Sequence, residues 1–150
     1  MVRTVRFVVA LALLGILLMT WVGSTAAESR KTFESSLVGI PTGGLVLDGV
    51  TGGGVPWSIN AGRAILTEDG GLHVVVNGLV VTATGANPSA TGRAAVICDG
   101  AVVAMTDPVD FSPTGDAVVN ASVSIPSPCL DVAVMFLNGA GTRWFAVTGF

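Results

Sequence analysis

Apolar and polar side chains alternate most clearly between Val118 and Ile125. Val119, Ala121, Val123 and Ile125 share one side of an extended chain, and each residue between them is Asn or Ser. A period of two is typical of a half-buried strand whose polar face lies in water. The pattern therefore predicts an exposed strand in this part of the chain.

Three further pairs of apolar segments flank turn residues and predict β-hairpins. The paired segments are 64–67 with 72–76, 93–98 with 101–105, and 130–137 with 144–148. Asp99-Gly100 separates the second pair, and Asp-Gly favours the type I′ turn of a two-residue hairpin loop. The third pair is apolar on both faces, which predicts a position at the centre of a sheet or at an interface.

No segment after residue 27 shows a sustained helical period. About seven to nine short strands with regularly spaced turns indicate an all-β sandwich or small barrel. We favour a single antiparallel β-sandwich of the immunoglobulin-like, Greek-key type over residues 57–150. Residues 28–56 are predicted to be an irregular N-terminal segment with edge strands near 37–40 and 44–48.

The first 27 residues have the order of a secretory signal peptide. Arg3 and Arg6 precede an apolar run over 7–19, and small residues follow at 24–27. This order predicts a signal helix, 1–27, that is cleaved after Ala26 or Ala27. The run is shorter than the roughly 20 apolar residues that a spanning helix needs. We expect a secreted or extracytoplasmic protein with no stable membrane anchor after cleavage.

The charge balance excludes two classes of partner. Removal of the signal would leave five basic and ten acidic residues, a formal charge of −5. An acidic chain with scattered cations has no patch that neutralises phosphates, which argues against nucleic acid. The same shortage argues against a polybasic attachment to anionic lipid.

Cys98 and Cys129 are the only cysteines. Export would place them where thiols oxidise, so we expect one disulfide that ties two sheet elements across the core. Closing a loop of about 30 residues would stabilise the fold by roughly 3 to 4 kcal/mol in the chain-entropy model. Free thiols or metal ligands are the alternative, although the chain has no C-x-x-C and a single histidine.

His73 is the one residue that could act as a catalytic base in a serine triad. No G-x-S-x-G motif accompanies it. In the predicted strand it lies opposite Leu72, Val74 and Val76, so we interpret it as a surface histidine. We predict no catalytic residues and no enzymatic activity.

Asp107, Asp110 and Asp116 cluster around a predicted loop. Carboxylates are the oxygen ligands that calcium prefers, which makes this loop a weak candidate metal site. The alternating ligand spacing of calcium loops is missing, and Asp107-Pro108 and Ser112-Pro113 are typical of turns. We therefore expect a solvated turn, with no metal and no cofactor.

Trp57 and Trp144 are candidates for ligand contact, because exposed tryptophans stack on ring faces and anchor interfaces. Packing in the core is the alternative for both. Trp144 and Phe145 must point to opposite faces of a strand, which predicts that one of them is less buried.

The later part of the chain resembles a group of small exported microbial proteins of unknown function. The resemblance covers roughly 55–150 and implies a folded exported module with no assigned activity; it is carried by Val55-Pro56-Trp57, Gly62-Arg63, Asp69-Gly70-Gly71-Leu72, Gly78-Leu79, Thr84-Gly85, Asn87-Pro88, Gly115-Asp116-Ala117, Ile125-Pro126-Ser127-Pro128-Cys129 and Trp144-Phe145-Ala146-Val147-Thr148-Gly149.

A second, fainter resemblance is to the opening of the chordin-type exported β domain. It is carried by Phe33-x-x-x-Leu37-x-Gly39, Gly70-Gly71-Leu72 and Gly78-Leu79. That family usually has a histidine after the Gly-Leu step, and the stretch 80–85 here has none. The resemblance implies a sandwich.

These observations predict an exported, non-enzymatic β-sandwich module. We expect it to bind a protein, a cell surface or a ligand through its loops or a sheet edge. The alternative is a small secreted hydrolase or a calcium-binding domain, which would need His73 or the loop from Asp107 to Asp116 to converge with other groups in a pocket.

Overall fold

The computed structural model describes residues 30–149, which form thirteen β-strands and no helix. The strands are Lys31–Gly39 (β1), Val46–Leu47 (β2), Val50–Thr51 (β3), Trp57–Ser58 (β4), Ala61–Thr67 (β5), Gly71–Asn77 (β6), Val80–Val81 (β7), Thr91–Cys98 (β8), Ala101–Met105 (β9), Val109–Asp110 (β10), Ala117–Ser122 (β11), Val132–Asn138 (β12) and Trp144–Thr148 (β13).

The predicted signal peptide, 1–27, lies outside the described residues. Nowhere in residues 30–149 is there a helix with the length and hydrophobicity to span a bilayer.

The main sheet is antiparallel and curled, with the strand order β10-β8-β12-β13-β1-β5-β6-β11; β9 pairs with β8 beside β10. The all-β, antiparallel prediction is therefore confirmed. β1 joins two halves of the sheet, because its first part pairs with β5 and its last residues, Leu37 to Gly39, pair with β13. We call β5, β6 and β11 the open half, and β8, β12 and β13 the covered half.

The position of β1 differs from the sequence expectation for residues 28–56. We expected an irregular segment with edge strands, yet β1 is nine residues long and has a neighbour on each side. The charged residues Lys31 and Glu34 interrupt the alternation of apolar and polar positions by which a strand is recognised in the sequence. Both side chains lie on the exposed face, where Glu34 pairs with Arg63 of β5 as well as with Lys31.

The three predicted hairpins are confirmed. β5 pairs with β6, β8 with β9, and β12 with β13. Asp99 and Gly100 both have positive φ, 50° and 79°, as a type I′ turn requires. β12 and β13 lie inside the sheet, as their apolar character on both faces predicts.

Strands of the open half are buried on one face only. In β6, Leu72, Val74 and Val76 are buried, whereas His73 and Asn77 are exposed. β11 repeats this alternation, with Val119 buried and Asn120 exposed. Water therefore covers the outer face of this half, as expected for an antiparallel sheet with one solvated side.

Strands of the covered half are buried on both faces. All five residues of β13 are buried. The hairpin of β2 and β3 supplies the outer cover: the Gly53 N–H donates to Trp144 O at 2.9 Å, and Leu47 and Val50 pack against the core. Its turn reaches the other end of this half, since a Cβ added at Gly100 would lie 3.8 Å from Asp48 Oδ1.

Candidate functional site

Both tryptophans that were candidates for ligand contact are core residues. Trp57 is 6% exposed and stacks on Phe145, with ring centroids 3.9 Å apart. Trp144 is 0% exposed, and its Nε1–H donates to Leu45 O at 3.2 Å. Neither ring offers a face to a ligand. Phe145 is 6% exposed, so the pair differs only slightly in burial, because the β2–β3 hairpin covers the outer face.

Cys98 and Cys129 form a disulfide, with Cα atoms 5.5 Å apart. Cys129 lies in the connection between β11 and β12. The strand β12 begins at Val132, and not at Leu130 as predicted. The cause is Asp99, whose Oδ1 accepts the N–H groups of Leu130 and Asp131 at 3.2 and 3.1 Å. The bridge therefore fastens this connection to the end of β8, and does not cross the core.

The acidic loop is built as a turn. Asp116 Oδ1 accepts the Gly78 N–H at 2.7 Å, and its Oδ2 accepts the hydroxyls of Thr114 and Ser112 at 2.6 and 2.9 Å. These hydrogen bonds, that from Thr114 first, hold the pKa of Asp116 below its usual value, against a smaller opposing effect of burial. Asp116 thus caps the turn before β11.

Asp107 lies just before β10 and Asp110 is its last residue, and both are exposed. Across residues 30–149, no three His, Cys, Asp or Glu side chains are grouped so that they could hold a metal ion. The structure therefore does not bring Asp107, Asp110 and Asp116 together as a ligand set.

His73 lies on the exposed face of β6, as predicted from the alternation. Its Nδ1 and Asn120 Oδ1 of the neighbouring strand β11 are 2.6 Å apart. Ile65 of β5 is its partner on the other side. The imidazole is thus held in an exposed row of side chains that crosses the open half.

The feature that the sequence analysis did not locate is a seam between the two ends of the main sheet. Its sides are the free edge of β11 and the edge formed by β9 and β10, both of which pair with β8. Cα atoms of β10 and β11 come within 8 Å of each other. β10 and β11 nevertheless stand at opposite ends of the strand order and are not hydrogen-bonded to each other as a strand pair.

The register of β11 shows which of its backbone groups face the seam. Val123 N–H donates to Gly70 O at 2.8 Å, and this pair continues the register in which Ala121 lies opposite Leu72. Backbone groups of alternate residues point to opposite sides of a strand. Odd-numbered residues therefore bond to β6, and Val118, Asn120 and Ser122 direct their N–H and C=O groups into the seam.

The opposite side of the seam is bent at Thr106, between β9 and β10. The Thr106 N–H donates to Ala94 O at 2.9 Å, and its hydroxyl accepts the Ala94 N–H at 3.1 Å. Because the side chain takes the place of a backbone acceptor, the strand is interrupted here. Pro108 follows and has no N–H to offer a neighbouring strand.

A groove of about 340 Å³ runs along the seam, lined by Met105, Thr106, Asp107, Val109, Val119, Asn120, Ala121 and Ser122. Val109 and Ala121 give it an apolar part at its base, where Val119 is already almost fully buried. Its rim is polar, formed by Asp107 on one side and by Asn120 and Ser122 on the other. The alternation of Val118 to Ile125 predicted both faces of β11. Only the strand order shows that this strand is an edge.

Comparison with protein-family models, curated proteins and solved structures gives no match to this chain. The resemblance to exported microbial proteins therefore stays a prediction.

Proposed function

We propose that this protein is an exported, non-enzymatic module that binds a protein partner through the free edge of β11. The observation that carries the proposal is the groove along β11, which is lined by Asn120 and Ser122 and continues the row of unpaired backbone groups that begins at Val118. Such an edge is a template for an additional strand, and stable proteins usually cover or blunt it.

The proposed location outside the cytoplasm has two supports. One is the signal-like order of residues 1–27. The other is the disulfide between Cys98 and Cys129, which is consistent with an oxidising compartment. The proposal includes no nucleic-acid partner, on the charge argument given above. It also includes no stable membrane anchor after signal cleavage, since the apolar run of 7–19 is short for a spanning helix.

The proposed fold type is the immunoglobulin-like sandwich. Its support is the passage of β1 from β5 to β13, which places the open and covered halves on either side of one shared core.

Proline at position 118 tests the proposed function. Val118 is 50% exposed, and its N–H faces the seam, so Val118→Pro removes a donor and obstructs strand addition without emptying the core. Val118→Thr is the matched control, because it keeps the N–H and the β-branched shape. Each exported protein would be immobilised and exposed to envelope extract and culture medium of the source organism.

We expect the wild type and Val118→Thr to retain the same partner and Val118→Pro to lose it. Near-ultraviolet circular dichroism would verify that the proline variant is folded. Retention of the same partner by a folded Val118→Pro variant would show that the β11 edge is not the binding site.

A further inference from the structure

We propose that the occupant of the seam is an extended polypeptide segment with alternating small apolar and cationic side chains, which pairs with β11. This inference rests on the proposed function and assigns the chemistry of the partner. Its three grounds are the backbone groups of β11, the layering of the groove and the charge of its rim.

The backbone of β11 requires a strand-like occupant. Val118, Asn120 and Ser122 present their N–H and C=O groups at intervals of two residues, which matches the repeat of an extended chain. No backbone hydrogen bond outside the regular strand pairs satisfies these groups within residues 30–149. A helix or a rigid small molecule cannot match such a row, whereas an added strand does so at each second residue.

The groove places the two faces of the added strand in different surroundings, one apolar and one polar. Alternate side chains of the occupant would point down onto the half-buried Val109 and Ala121, where burial favours apolar groups. The remaining side chains would point up, between Asp107 and Asn120. Alternation of apolar and polar residues in the partner therefore follows from the pleat of the strand.

The charge of the rim favours cations. Asp107 is the one charged residue among those that line the groove, and it is exposed. No ion pair of the described residues includes Asp107. A lysine or arginine on the upper face of the occupant would lie opposite this carboxylate, and the net acidity of the chain favours approach of a cationic segment.

A second copy of this chain is less complementary to the seam. Its own free edge, β11, presents Val118, Asn120 and Ser122, none of which carries a positive charge. Pairing of two β11 edges would leave Asp107 of each copy without a cation.

Three synthetic ten-residue peptides test the inference. The first alternates valine and lysine, and the second alternates valine and glutamate. The third repeats the first with N-methyl groups on the amides of one edge. Binding to the exported protein would be measured by calorimetry, and hydrogen exchange would follow the amides of Val118, Asn120 and Ser122.

We expect the valine-lysine peptide to slow exchange at those three amides and to bind at least tenfold more tightly than either other peptide. N-methylation removes several backbone hydrogen bonds, each of which contributes modestly to affinity. Asp107→Asn should lower the affinity for the valine-lysine peptide about two- to fivefold, as expected for the loss of one exposed ion pair. Asp131→Asn, an exposed change of equal charge away from the seam, should leave the affinity unchanged.

If the lysine and glutamate peptides bound with equal affinity while N-methylation still weakened binding, the inference of a cationic partner would be overturned. Binding of a strand at the β11 edge would still be supported. Absence of protection at the three amides with every peptide would overturn strand addition by such segments. The proline test with the native partner would still decide the proposed function. Concentration-dependent dimerisation that is abolished by Val118→Pro would assign the seam to a second copy and so overturn the inference.

Discussion

The open and covered halves of the sheet differ in what lies on their outer faces. Outside β6 the side chains of His73 and Asn77 meet water, whereas every residue of β13 is buried. The two halves share one core and one connecting strand, β1. The difference corresponds to an additional layer outside β13, a strand that is apolar on both faces, whereas β6 alternates.

That layer comes from a nearly uncharged part of the sequence. Asp48 is the only charged residue between positions 35 and 62. The β2–β3 hairpin in this part covers Trp144, and Leu45 accepts its indole N–H. A sheet covered on both sides is suited to stability, and a sheet with a free edge and one wet face is suited to binding.

Truncation of Trp144 should give the largest loss of stability, and it tests whether burial on both faces stabilises the covered half. Trp144→Ala removes a fully buried ring that contacts Leu45 and Gly52 beside the hairpin, so we expect a loss of about 3 to 5 kcal/mol in the free energy of unfolding. Urea denaturation would measure it. Trp144→Phe, which keeps an aromatic ring in place, should remain folded if the alanine variant does not.

The control for this truncation is His73→Ala in the open half. His73 is exposed, and its replacement should change the free energy of unfolding by no more than about 0.5 kcal/mol. A loss at His73 as large as that at Trp144 would contradict the distinction between the two halves.

A smaller loss of stability is expected from a substitution at Gly52, and it tests whether close packing of the β2–β3 hairpin stabilises the covered half. A Cβ at this position would overlap Ile40 Cδ1 and lie 3.0 Å from Leu45 O, so Gly52→Ala must shift the buried Ile40 side chain or the adjoining backbone. We expect destabilisation of about 1 to 3 kcal/mol, measured by thermal unfolding.

Gly54 is the matched control, because a Cβ there meets nothing within 4 Å. Gly54→Ala should leave stability unchanged or raise it by up to about 1 kcal/mol, since alanine restricts the unfolded chain. Equal destabilisation by the two alanines would mean that close packing of the hairpin is not what stabilises the covered half.

The strands of the open half could be predicted from the sequence because one face is buried and the other meets water. Apolar and polar residues therefore alternate with a period of two. The hairpins at Glu68-Asp69-Gly70 and Asp99-Gly100 were found from their turn residues for a similar local reason. The Asp48-Gly49 turn has the same chemistry, with positive φ at both residues. Its strands are only two residues long, too short for alternation to be visible.

The candidate site could be predicted only in part, because it depends on contacts between distant segments. The alternation around Asn120 indicates an exposed face, but the free edge of β11 arises from the pairing order of the whole sheet. The burial of Trp57 and Trp144 was also not predictable locally. Their surroundings depend on where residues 40–57 lie, and those residues show no regular period.

The last and smallest effect concerns Asp116, which fixes the turn leading into the open half. Its folded-state pKa is lowered, first by the Thr114 hydroxyl and then by the Gly78 N–H and the Ser112 hydroxyl. A carboxyl whose folded pKa lies below its unfolded pKa, about 4, stabilises the fold while ionised. This contribution is present above the unfolded pKa and is lost as the pH falls through the folded pKa.

Asp116→Asn should therefore lower the melting temperature near pH 7, and its difference from the wild type should shrink as the pH falls below about 4. Asp110→Asn, at an exposed position of the same loop region, controls for the change in net charge. Thermal unfolding followed at stepwise lower pH gives the comparison. We expect a modest effect, because the carboxylate is partly exposed and solvent screens it. A difference between Asp116→Asn and wild type that stays constant or grows on acidification would show that the ionised carboxylate does not stabilise this turn.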